Sequence, residues 1–169
     1  MDLLILYFLA SVVVSFVCSI LESVLLSVNM SYISVLAKEN ERAARILKAQ
    51  KTDISKSISS VLILNTIANT LGAAAVGAQA KSIYGNEAVF YVSAILTFAI
   101  LFFSEIIPKT IGAVYWRSLA PISAFVIRFL IWITYPIILM TLFVTSRINK
   151  NSDLQSLSKE ELLESALQS

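Results

Sequence analysis

The segment Ser104-Glu105-Ile106-Ile107-Pro108-Lys109-Thr110 lies inside an apolar run from Ala88 to Ala113. At 1.5 Å per residue such a run can cross a hydrocarbon core of ~30 Å as a helix. A carboxylate, a proline and a lysine are costly there, and ionisable groups inside membrane segments mark functional sites by default. Pro108 has no N–H, so the carbonyl four residues earlier, on Ser104, is expected to lose its helical donor. A freed backbone oxygen beside the Glu105 carboxylate suits the wall of a cavity. Irregular backbone at membrane depth is tolerated where it lines a protein-enclosed or watery space. A plain kink accounts for Pro108 alone but not for Glu105 and Lys109 beside it. Lys109 is expected to reach the cytoplasmic surface or to neutralise a glutamate.

The rest of the chain agrees with a membrane setting. Hydrophobic residues make up 57% of the 169 and charged residues 14%, against roughly 25% charged in soluble domains. Mean hydropathy is +0.81. Histidine is absent and Cys18 stands alone. That combination excludes imidazole metal sites, His acid–base chemistry and an intrachain disulfide. An enzyme is not expected. The amino terminus carries Asp2 in place of a basic leader, so the first apolar run is read as a retained span.

Working outward, spans are expected over 3–29, 57–81 and 88–113, giving an all-α membrane domain over 1–146. Between the first two, residues 36–56 hold Lys38, Arg42, Arg45, Lys48, Lys51 and Lys56, with apolar residues at amphipathic spacing. This basic helical hairpin belongs in the cytoplasm. The Ser82–Glu87 turn has no Lys or Arg and is expected outside. The amino terminus is then external and the carboxyl terminus cytoplasmic. Residues 117–146 contain Pro121, Arg128, Trp132 and Pro136. Arginine at mid-bilayer costs ~2.5–3.5 kcal/mol, so a kinked helix pair at the cytoplasmic interface is preferred to a fourth span. Residues 147–169 read as a cytosolic linker. Ser158 and Glu161 form a capping box that opens a helix leading to further protein.

The polar residues of the spans fall on faces. Ser11, Ser15, Ser19 and Glu22 share one side of the first helix, with Ser23 at its edge. Serines that bond back to their own helix are the plain alternative, and for Glu22 it is an exposed helix end. Asn65 and Asn69 share a face with Gly72, and an interhelical amide clamp is the plain alternative. With Ser104 and Glu105 these groups supply only oxygen. Such a set suits Mg²⁺, Na⁺ or Ca²⁺ rather than zinc or copper.

The pattern Glu105-Ile-Ile-Pro108-Lys109 resembles the E-x-x-P-K motif of the CNNM/CorC family of magnesium transporters. Ser19-Ile-Leu-Glu22-Ser-Val-Leu-Leu-Ser27 is similar to that family's first-span pattern. Leu64-Asn65-Thr66-Ile67-Ala68-Asn69 is similar to its second-span pattern. Departures are Ser104 and Leu64, where the family commonly has Gly, and Thr66, where it often has Asn. The resemblance implies Mg²⁺ export, in many members coupled to Na⁺ entry. It implies a homodimer in the bilayer, a juxtamembrane helical belt and a cytosolic CBS-domain pair, with no nucleic acid bound. It assigns Ser15, Ser19, Glu22, Ser23, Asn65, Asn69, Ser104 and Glu105 to the ion site, shaped by Pro108 and Lys109. Alternatives are a Na⁺/H⁺ exchanger, a Co²⁺ exporter, or a non-transporting anchor for a regulatory domain.

Overall fold

The computed structural model describes residues 2–140, and the described residues are almost wholly helical. The Ser158 capping box lies outside them. Helix α1 runs Asp2–Ser27, α2 Met30–Glu39, α3 Glu41–Thr52, α4 Ile54–Tyr84 and α5 Asn86–Ala99. A π-helical segment, Ile100–Ile106, then leads into α6, Ile107–Val114. A bend at Tyr115 separates α6 from α7, Trp116–Met140. Residues 1–134 form one compact unit. A second begins at Tyr135, of which residues 135–140 are described and helical.

Short polar residues set the helix starts. Asn29, Asn40 and Asp53 each accept a backbone N–H three residues on, from Tyr32, Ala43 and Lys56. Each such cap is worth ~1 kcal/mol. The Asp53 cap starts α4 at Ile54, three residues before the span expected from hydropathy. The chain reverses between α4 and α5 at Gly85, whose φ is +87°.

The hairpin α2–α3 packs its apolar face against the ends of α1 and α7. Val24, Val28, Leu36, Leu47, Ala120 and Ala124 meet in that core. Lys51 donates to the Leu25 carbonyl at 3.2 Å, where a cation complements the end of α1.

Besides helices at the three expected spans, the described residues hold a fourth helix long and apolar enough to cross a membrane, where a kinked pair over 117–146 is expected: the four are Asp2–Ser27, Ile54–Tyr84, Asn86–Val114 and Trp116–Met140. The last is one continuous helix rather than a pair. Its interior Pro121 cannot donate to Arg117, four residues back. The Tyr32 hydroxyl supplies the missing donor, 2.6 Å from the Arg117 carbonyl. Burial raises the Tyr32 phenol pKa above its ordinary value, with Glu39 adding to the rise and Arg117 opposing it.

Helix directions follow from the contacts. Ser11 faces Ala68 and Gly72, while Cys18, Leu21 and Leu25 reach Val61, so α1 and α4 are antiparallel. Val12 meets Ser104, and Ile20 and Ser23 meet Gly112, so α1 and the α5–α6 span are parallel. Both approaches need glycine. A Cβ on Gly72 would land on the Ser11 side chain. One on Gly112 would come within 2.9 Å of the Ile20 carbonyl and the Ser23 Cβ.

Candidate cation site

The serine face of α1 is turned inward. Ser11, Ser15 and Ser19 are buried, the last two at 0% exposure. Their hydroxyls do not all bond within the helix. Ser11 donates to the Ala68 carbonyl of α4 at 3.1 Å, and Ser23 to the Lys109 carbonyl of α6 at 2.7 Å. Ser27 alone on that face bonds back to its own helix, at Ser23. Ser15 Oγ and Ser19 Oγ are buried without a hydrogen-bond partner, as are Asn65 Oδ1 and Asn69 Oδ1. An unsatisfied buried polar group costs ~1–3 kcal/mol. Four such oxygens lie on two facing helices, an uncommon concentration of unpartnered groups.

These four oxygens are spread over about two turns along the α1–α4 contact. Ser11 is opposite Ala68 and Gly72 in an antiparallel pair, so Ser15, a turn further down α1, is level with the Asn65–Asn69 turn. The parallel pairing of Val12 with Ser104 brings the third span to the same depth. Ser104 is fully buried there and donates to the Val12 carbonyl at 3.0 Å. Glu105 follows it and is half-buried.

The backbone around Ser104 differs from the proline-only expectation. In the π segment hydrogen bonds skip five residues, as in Ile107 N–H to the Phe102 carbonyl. One residue on, that register sets the missing N–H of Pro108 against Phe103 rather than Ser104. The wide turn absorbs one extra residue ahead of the proline, and such turns recur at functional sites. Sequence spacing carries no signal for it.

Glu22, Ser23 and Lys109 form a second group, further along α1 toward its end. Lys109 Nζ is 3.5 Å from Glu22 Oε2, with side chains 47% and 28% exposed. At that exposure the pair adds little stability. Glu105 and Lys109 have the i, i+4 spacing of a helical ion pair, yet the lysine is turned to α1.

Two cavities among the described residues have linings that do not include Ser15 or Asn65. One, of about 270 Å³, is a groove along the α1–α4 contact lined by Tyr7, Ser11, Val14, Leu71 and Gly72, with a largely apolar lining. Another, of about 340 Å³, lies between α3, the start of α4 and α7. Gln50, missed by sequence reasoning, lines the latter. Its Nε2 donates to the Ala124 carbonyl at 2.8 Å, and its Oε1 is buried without a partner. The described residues contain no cluster of three or more His, Cys, Asp or Glu side chains. The oxygens gathered here come mainly from neutral groups.

Comparison with known proteins agrees with this architecture. The family model described as the Cyclin M transmembrane N-terminal domain (CNNM) matches residues 5–169. A UPF0053 protein of Synechocystis is 30% identical over 146 residues, covering 86% of this chain and 42% of that protein. The UPF0053 inner membrane protein YfjD of Escherichia coli is 30% identical over 148 residues, covering 83% and 35%. A UPF0053 protein of Haemophilus influenzae is 29% identical over 147 residues, covering 83% and 35%. The chain thus spans less than half the length of these relatives. With a family match over nearly its whole length and apolar helices long enough to cross a bilayer, this chain is a multi-pass membrane domain and belongs to the CNNM family.

Proposed function

We propose that this domain carries Mg²⁺ out of the cytoplasm, coupled to Na⁺ entry, through a passage between α1, α4 and the α5–α6 span. The observation that supports the proposal is the set of buried, donor-less oxygens on Ser15, Ser19, Asn65 and Asn69 along the α1–α4 contact, with Ser104 and Glu105 entering beside Val12 near its Asn69 end. Acceptors without donors are what a hard cation takes as ligands. Glu105 would supply negative charge and Ser104 a neutral oxygen. Glu22, Ser23 and Lys109 would form the cytoplasmic approach, with Lys109 compensating Glu22 when no cation is near. Direction and coupling follow from the family resemblance.

In this reading three helices span, and the first half of α7 lies at the cytoplasmic interface. Support comes from the packing of α7 on α3, whose other faces carry exposed Arg42, Arg45 and Lys48. The amino terminus is then external. A homodimer is supported by the exposed small residues Ala73, Ala74 and Ala78 on α4, since small residues favour close helix association in lipid. A cytosolic CBS-domain pair would follow in the full chain.

The test is Mg²⁺ efflux from proteoliposomes bearing the full-length protein, with Glu105→Gln as the variant. Transport is expected to be lost while the variant remains monodisperse with an unchanged melting temperature in Mg²⁺-free buffer. Wild-type flux from Glu105→Gln, or no flux from the wild type, overturns the assignment.

A further inference from the structure

The cavity between α3, α4 and α7 is separate from the cation site and has the opposite chemistry. Its volume is about 340 Å³, and its lining includes Arg45, Gln50, Asp53, Lys56, Ser57 and Arg128. Two arginines, Arg45 of α3 and Arg128 of α7, line it from different helices. Asp53 Oδ1 is engaged in capping α4 by accepting the Lys56 N–H, and Arg45 also pairs with the exposed Glu41 at 2.6 Å, a contact an anion would share. The amino terminus of the 31-residue helix α4 adds further positive potential.

A second observation points to a ligand. Gln50 is 4% exposed, its amide is fixed by donation to the Ala124 carbonyl, and its Oε1 is left buried without a donor. The lining therefore offers positive charge for an anion and one buried acceptor for a hydroxyl. We propose that this cavity binds a phosphate ester whose head carries free hydroxyls. The phosphate would lie between Arg45 and Arg128, with a hydroxyl donating to Gln50. A membrane phospholipid such as phosphatidylglycerol has this chemistry, as does soluble glycerol phosphate. The surroundings favour the lipid. Phe129 and Trp132 stack beside Arg128 with centroids 6.2 Å apart, and both are exposed. Aromatic rings of that kind settle at headgroup level.

The test uses the purified full-length protein in detergent, with native mass spectrometry reading bound lipid during titration with phosphatidylglycerol or phosphatidylcholine. Arg128→Gln and Arg45→Gln alter exposed side chains, so both variants should fold, as checked by melting temperature. Each is expected to weaken phosphatidylglycerol binding about five-fold, the worth of one cation at an anionic headgroup, with phosphatidylcholine unaffected. Failure of millimolar glycerol 3-phosphate and inorganic phosphate to displace the lipid supports a membrane source. Displacement by glycerol 3-phosphate supports the same site with a soluble ligand. Equal phosphatidylglycerol binding by the wild type and both variants, with no effect of either soluble phosphate, overturns the proposal.

Discussion

Replacing Gly72 by alanine tests whether the approach of α1 to α4 holds the oxygen-bearing faces together. The added methyl would occupy the space of the Ser11 Oγ and Cβ, while the Ser11 Cα stays at 3.6 Å. Carbon atoms rest ~3.5–4.0 Å apart, so the helices must separate by about an ångström or Ser11 must give way. Overpacking of this kind costs ~1–3 kcal/mol. Separation also removes the 3.1 Å bond from Ser11 to the Ala68 carbonyl, worth ~0.6 kcal/mol between membrane helices. At roughly 2–4 °C per kcal/mol for a domain of this size, Gly72→Ala should melt about 4–10 °C lower. The assay is thermal unfolding in detergent, followed by fluorescence-detected size exclusion. The decisive arm is rescue. Ser11→Gly removes both clashing atoms and should restore most of the loss, whereas Ser11→Ala keeps the Cβ and should not. A Gly72→Ala variant that melts like the wild type, or equal behaviour of the two rescue variants, would refute the close approach.

Two more outcomes follow from the same geometry. Asn69→Leu removes a buried oxygen that has no donor, so it should leave stability unchanged or raise it by up to ~2 kcal/mol, while Mg²⁺ binding measured by calorimetry is lost. A variant destabilised by more than that with binding intact would make Asn69 a structural clamp. Tyr32→Phe strips the donor from the Arg117 carbonyl and should cost ~1–2 kcal/mol. In a Pro121→Ala background the restored N–H takes that carbonyl, so the cost should fall below ~0.5 kcal/mol in a double-mutant cycle. Equal costs in both backgrounds would contradict the pairing.

Much of this arrangement was legible in the residues. Apolar run length gave the first three long helices, and basic residues at amphipathic spacing gave the α2–α3 hairpin. Helical periodicity placed Ser15 and Ser19 on one face and Asn65, Asn69 and Gly72 on another, and packing turns those faces together. What stayed hidden depends on contacts between helices. The continuity of α7 through Pro121 rests on a tyrosine 89 positions away in the chain, Tyr32, whose hydroxyl replaces the missing donor. The turn of Lys109 toward Glu22 rather than Glu105 depends on how α6 lies on α1. The polar cavity around Gln50 combines residues from three helices, and the chain order of a basic loop does not reveal which of its members converge.

The π segment has a mechanical consequence. A helix advances about 100° per residue, so one extra residue in a turn offsets everything before it from everything after it by about that angle. In this span the part after the wide turn is anchored to α1 by the Ser23–Lys109 bond and the Gly112 contact. The part before it carries exposed Phe90, Tyr91, Ile95 and Phe98. Sliding the surplus residue one step along the chain would swing the Glu105 carboxylate around the helix axis while Lys109 and Gly112 stayed in place. The span is thus jointed like a ratchet with one spare tooth, and the tooth sits at the carboxylate.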